Sequence, residues 1–224
     1  MELIYLIKNF PDRLLRIVRH LGFPFYKIKT QPCPSESLSE WFSDLLFYLL
    51  DIFGLPEIHQ SLNRLFKWNT RLLTKEEEEL GKSIFGDSVD FLRVRIDDKA
   101  VMGTKKMALA YVSFNTINYR YKIKPEIFIH EMVHIWQYQR FGSIYIGRAI
   151  KAQKSKEGYD YGGVANLYKT MLRGGTLLNF NFEQQADIIE DYYKVLKNTS
   201  SHGPMIINIY SYFAEDLSQI NNAE

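Results

Sequence analysis

Two periods alternate along this chain. Leu14, Leu15, Val18 and Leu21 recur at helical spacing among Arg13, Arg16 and Arg19, and Gly22 and Pro24 end that element. A loop, "TQPCPSES", follows. Ser39 is placed to cap a second helix reaching about Gly54. Thr74 and Glu77 have capping-box spacing, so a helix starts there and stops at Gly86 and Asp87. In "FLRVRID" the period changes to two: Leu92, Val94 and Ile96 point one way and Arg93 and Arg95 the other, which predicts a half-buried strand. "MALAYVSFNTINY", rich in β-branched and aromatic residues, predicts one further strand. Pro125 suits a first helical position, Glu126 the positive end of the helix dipole and Gly142 a stop, so a helix is predicted from 125 to about 141. "KAQKSKEGYDYGG" predicts a loop. Asn181 and Gln184 repeat the capping spacing and open a helix through "NFNFEQQADIIEDYYKVLKN". "SSHGP" breaks the chain before a last amphipathic element. This order predicts an α+β fold, with a helical segment over 1–70 and a second domain over 71–224.

Composition narrows the picture. The 224 residues can bury a core without covalent staples. Basic and acidic residues nearly balance and are interspersed, with a net charge of +2, so no nucleic-acid surface is expected. The run "KEEEEL" reads as a solvated helix face. Cys33 is the one cysteine, which excludes an intrachain disulfide; it reads as an incidental thiol compatible with a reducing compartment. The first twenty residues are interrupted by Lys8, Pro11, Asp12 and Arg13, so they do not read as a signal peptide. A cytoplasmic location in the producing cell is expected, with any export independent of a signal peptide. "WFSDLLFYLLDIFGL" carries two aspartates and is too short to span a bilayer. It reads as a buried or docking helix without membrane contact, an interfacial membrane helix being the rival.

The chemistry lies in "FIHEMVHIWQYQRFG", Phe128 to Gly142. His130 and His134, four apart, project from one helix face about a turn apart, close enough to share one tetrahedral ion. Glu131 lies about 100° around the helix, poorly placed to ligate but able to flank an open position as a base. Zinc requires a third protein ligand. Gln137 and Arg140 stand where a metzincin would carry a glycine and a third histidine. Glu183 is the better candidate, with Asp187 one turn later to hold a ligating imidazole by its far nitrogen, the arrangement of the thermolysin-like gluzincins. Asp160 and Glu190 remain alternatives. Tyr159, Tyr161, Tyr192, Tyr193 and His202 could donate to a developing oxyanion. Tyr161 and His202 are preferred because glycines beside them mark a possible cleft wall.

The order "LTKEEEELGKSIFGDSVDFLRVRI", "HEMVHIWQYQ", "FNFEQQADIIEDYY" resembles the zincin-like, Vgr-related proteins found near type VI secretion and Rhs elements of bacteria. The resemblance covers roughly Leu73 to Tyr193. It implies a zincin fold, a small twisted sheet packed on the motif helix. It also implies zinc held by His130, His134 and Glu183, with Glu131 as base and Asp187 behind a ligand, and a secretion-system partner.

The expectation is a zinc metallopeptidase acting on a peptide or protein substrate, which pairs along an edge strand in "ALAYVSFNTINY". Its rival is a non-catalytic zinc-binding adaptor of a secretion system. Residues 1–70 are expected to be a packed extension or a pro-region over the cleft.

Overall fold

The computed structural model describes residues 2–22, 37–67, 70–100 and 110–219. Cys33, most of the proline-rich loop and the start of "MALAYVSF" lie outside them.

The molecule is mostly helical with one small four-stranded sheet. Three helices come first: α1 (Glu2–Gly22), α2 (Leu38–Ile52) and α3 (Leu55–Phe66). Ser37, rather than Ser39, caps α2, its hydroxyl accepting from the Glu40 N–H. Strand β1 (Thr70–Arg71) leads to α4 (Lys75–Phe85), whose Thr74–Glu77 capping box forms as the spacing predicts. Strands β2 (Arg95–Asp97), β3 (Ala110–Ser113) and β4 (Thr116–Tyr119) complete the sheet in the order β1-β2-β4-β3. β1 pairs antiparallel with β2, β2 parallel with β4, and β3 antiparallel with β4.

Two strand predictions need correction. "FLRVRID" is not one alternating strand: Asp90 caps a 3-10 turn at Phe91–Arg93, which turns Leu92 to solvent and leaves Val94 and Ile96 in the core. "AYVSFNTINY" is a hairpin, folded at Phe114 and Asn115. Phe114 takes φ 57°, a region a bulky residue enters only under constraint. The constraint is visible: its N–H donates to the Tyr145 hydroxyl, and its ring packs edge-on against His59 and Tyr138.

The motif helix α5 (Pro125–Phe141) has Pro125 in its first turn and Gly142 at its end with φ 78°, as the sequence predicts. Helix α6 (Ile144–Lys154) was not foreseen; it takes the first third of the predicted loop, which therefore runs only from Ser155 to Gly162. Helices α7 (Gly163–Leu172), α8 (Phe182–Lys197) and α9 (Pro204–Gln219) follow. Asn181 and Gln184 form the predicted capping box of α8. The core joins the sheet, α5, α8 and α9 around Phe85, Ile96, Ile117, Trp136, Ile188 and Phe213.

The first three helices hold the largest departure from expectation. Their hydrophobic period is helical, but it faces outward. Arg13, His20, Glu40, Asp44, Asp51, Glu57 and Gln60 are buried, whereas Leu14, Val18, Phe42, Leu46, Ile58 and Leu62 are exposed. Arg13 forms a two-pronged ion pair with Glu57, and His20 stacks on Trp41. Arg148 of α6 reaches Glu40 and Asp44, while the N–H and hydroxyl of Ser143 donate to Asp51. Gly147 permits the α2–α6 approach, because a Cβ there would lie 2.8 Å from the Phe47 ring. The stretch "WFSDLLFYLLDIF" does form a docking helix, with Phe47 and Tyr48 against the core, but Phe42, Leu46, Leu49 and Phe53 stay exposed while Glu40, Asp44 and Asp51 are buried.

Candidate metal centre

Helix α5 lies between the hairpin and α8, and it is buried along nearly its whole length from Phe128 to Tyr138. Polar side chains on such a helix must be satisfied internally or hold something. His130, Glu131 and His134 face an open cleft of about 490 Å³ walled by β3, α6, Tyr159 and Glu183.

Glu183 lies in the first turn of α8, where the Asn181 cap fixes the backbone. Its Oε2 is 3.5 Å from Nε2 of both His130 and His134. Ligand atoms of the three residues all lie within 4.8 Å of one another. Oε1 of Glu183 accepts from Gln153 of α6 at 2.8 Å, so the carboxylate is steered from one side and left open on the other.

The far nitrogens of both imidazoles are occupied by acceptors. His130 Nδ1 lies 3.1 Å from Asp187 and 3.1 Å from Glu190, and Lys194 holds Glu190 at 2.7 Å. Asp187 thus stands where the sequence puts it, and Glu190, weighed as an alternative ligand, joins it behind His130. His134 Nδ1 lies 2.7 Å from Gln137 Oε1. Gln137 Nε2 donates to the Phe182 carbonyl and to Gln185 Oε1, so only its oxygen is left for the imidazole. These acceptors hold a proton on Nδ1 of each ring, which leaves Nε2 of both to face Glu183.

A cation fits this arrangement on the protein's own evidence. Glu183 Oε2 and Glu131 Oε2 are buried with no hydrogen-bond donor. A buried carboxylate oxygen with no donor, facing two imidazole nitrogens, is costly unless a cation fills the gap. Two nitrogens and one oxygen suit a divalent ion with room for one further ligand.

Charges respond accordingly in the ion-free chain. Glu183 is held well below the usual carboxylate range: burial alone would raise it, but the pull of the two facing histidines wins. His130 and His134 are raised although burial opposes it, His130 by Asp187, Glu183 and Glu190, His134 chiefly by Glu183. Burial pushes the Glu131 carboxyl up, against the pull of the two imidazoles. A carboxyl moved toward neutrality is suited to exchanging a proton.

The oxyanion-donor candidates do not gather as the sequence suggested. Tyr161 does not line the cleft; its hydroxyl donates to Asp191 and meets Tyr210, which commits it to joining α8 and α9. His202 follows a 3-10 turn after α8 and is also absent from the cleft. Tyr193 is buried in the core and Tyr192 packs against it. Tyr159 does line the cleft, its ring 6.2 Å from that of His130. Partial burial and nearby Glu183 push its hydroxyl up to about 12, so it remains a proton donor at neutral pH. Asp160, the alternative ligand, instead accepts from the Gly162 N–H in its loop. No described residue of 1–70 lines the cleft.

Sequence reasoning missed Gln137 and Gln153. Gln137 was detectable, since it lies three residues after His134 on the same face. Gln153 was not, because its helix was read as loop.

The class these residues define is an α+β scaffold with a buried His130/His134/Glu183 group that could hold a metal ion. No protein-family model matches the chain, and no solved structure matches it. The chain is 29% identical over 141 residues to the type VI secretion system spike protein VgrG2b of Pseudomonas aeruginosa, a likeness covering 55% of this chain and 13% of that protein. The chain thus matches only a small fraction of its relative's length.

Proposed function

We propose that this chain is a zinc-dependent metallopeptidase linked to a type VI secretion system. The observation that carries this reading is Glu131: a buried carboxylate with an unpartnered oxygen, in the same open cleft as the three ligands. A purely structural site has no use for a base there.

When bound by His130, His134 and Glu183, zinc supplies Lewis acidity that polarises a carbonyl and makes a water acidic. The chain's own residues do the rest. Glu131 takes the proton from that water and delivers it to the leaving amine. Tyr159 donates to the carbonyl oxygen as it gains charge. Strand β3 is an edge among the described strands, and Ala110, Tyr111 and Val112 line the cleft, so an extended peptide can pair along it. Type VI association rests on the likeness to VgrG2b, named as a spike protein of that system, and on it we infer a partner within the secretion apparatus.

That likeness is to a protein named as a spike, not as an enzyme, and so favours a second reading: a non-catalytic metal-binding adaptor of the secretion apparatus. A Glu131→Gln variant separates the two. On the first reading it keeps full zinc content and loses cleavage of a broad peptide library by at least about a hundredfold. If the wild type, loaded with zinc, cleaves nothing in that library, the adaptor reading stands.

A further inference from the structure

Helices α1, α2 and α3 pack against one another and turn their charges inward. Four of the six acids among the described residues of this region, Glu40, Asp44, Asp51 and Glu57, are buried; the others are Glu2 and Asp12. Arg13 is buried against Glu57 and His20 against Trp41. Outward stand Ile7, Leu14, Val18, Phe42, Leu46 and Leu62, each between 47% and 69% exposed. In water this arrangement is costly twice over, in exposed apolar area and in desolvated ion pairs. Charges paired toward the bundle interior and an apolar exterior are how helices are built for hydrocarbon surroundings.

The edge of this face adds a charge preference. A cavity of about 290 Å³ opens beside α1, lined by Arg16, Arg19, Arg93 and Arg140 against Asp12 and Asp90. Leu15 belongs to both this cavity and the exposed side of α1. An apolar face bordered by arginines suits the boundary between acyl chains and anionic headgroups. Lengths exclude a simple crossing by all three: at 1.5 Å per residue α2 and α3 fall short of a hydrocarbon core of about 30 Å. No helix among the described residues is long and apolar enough to span.

We propose that α1–α3 form a docking surface for an anionic phospholipid bilayer, lying in its interface. This replaces the expectation that the segment makes no membrane contact. It goes beyond the metallopeptidase reading and does not depend on it.

Co-sedimentation of the full chain with vesicles tests this. The vesicles are phosphatidylcholine alone, or phosphatidylcholine with phosphatidylglycerol at about 7:3. The expected result is binding several-fold stronger to the anionic vesicles, weakened by salt. Phe42→Glu with Leu46→Glu should cut it at least about tenfold while the circular dichroism stays that of the wild type. Leu14→Glu on α1 is the second variant if the first does not fold. A wild type that stays in the supernatant with anionic vesicles overturns the proposal, as does equal binding to both compositions. So does a chain that is dimeric in solution and becomes monomeric, without any vesicle binding, when the face is charged; a second copy would then cover it. Because no readout involves zinc or turnover, failure here leaves the metal centre untouched.

Discussion

Helix α5 and helices α1–α3 both draw polar side chains inward, for opposite reasons. In α1–α3 the buried charges satisfy each other: Arg13 meets Glu57, and Arg148 meets Glu40 and Asp44. Around α5 they do not, since Glu183 and Glu131 each keep an oxygen with no donor. A completed network is structure; an incomplete one with converging lone pairs is a site for something else. The difference shows that burial of charge alone does not mark function. What marks it is an unpaired atom in an open cleft, facing other groups able to bind the same ion.

The comparison can be broken most forcefully at the metal centre. Structural zinc sites contribute about 10–16 kcal/mol in total, so one of three protein ligands is worth on the order of 4 kcal/mol. Glu183→Ala is expected to lower zinc affinity by roughly a thousandfold, read by competition with a chromogenic chelator. An unchanged affinity would remove Glu183 from the centre.

The ion pairs of the first helices come next. Arg13→Ala leaves Glu57 buried and unpaired, and should cost about 3 kcal/mol in urea unfolding. Arg13→Met with Glu57→Leu should recover most of that, because an apolar pair of similar volume escapes the desolvation cost. If the double variant is as unstable as the single, the network is not simply self-satisfying, and the contrast with α5 weakens.

Smaller effects sharpen the picture behind the ligands. Gln137→Ala removes the acceptor that orients His134, and should weaken zinc binding about 10- to 100-fold. Gln137→Glu keeps an acceptor and should restore much of the affinity. A variant series that changes only stability would make Gln137 a packing residue.

Protons give the gentlest test. The surrounding carboxylates raise His130 and His134, favouring their protonated forms, and a nitrogen that takes a metal ion must give up its proton. Zinc uptake should therefore release on the order of one to two protons, measurable by calorimetry in buffers of different ionisation heat. Affinity should rise with pH by about tenfold per unit per proton released, and flatten once the raised values are passed. Proton uptake, or none, would mean that both imidazoles are already neutral before zinc binds.

Much of the metal centre was legible because its signals are local. The i, i+4 spacing of His130 and His134 fixes their shared face wherever the helix lies. The caps at Thr74 and Asn181 and the stop at Gly142 also act within one turn of chain. Glu183 and Asp187 were readable as a pair for the same reason. Tyr161 was not, because its partners, Asp191 and Tyr210, lie on α8 and α9, and glycine neighbours do not reveal them. The hairpin was hidden because its turn uses Phe114, a residue that marks strands, held at positive φ by the Tyr145 hydroxyl from α6. The exposed side of α1–α3 was hidden more deeply. A hydrophobic period identifies two faces of a helix but not which one turns inward.

By itself, the sequence determined the helix that carries His130 and His134, the order of the motif residues and the helix ends around them, since these depend on spacing along a single element. Only the tertiary structure decided that Gln137 braces His134 and Gln153 braces Glu183, that Tyr159 rather than Tyr161 reaches the cleft, and that the first three helices leave much of their apolar side outward. Those outcomes depend on which surfaces meet across distant stretches of chain, where the competition between burying charge pairs and burying hydrocarbon is resolved.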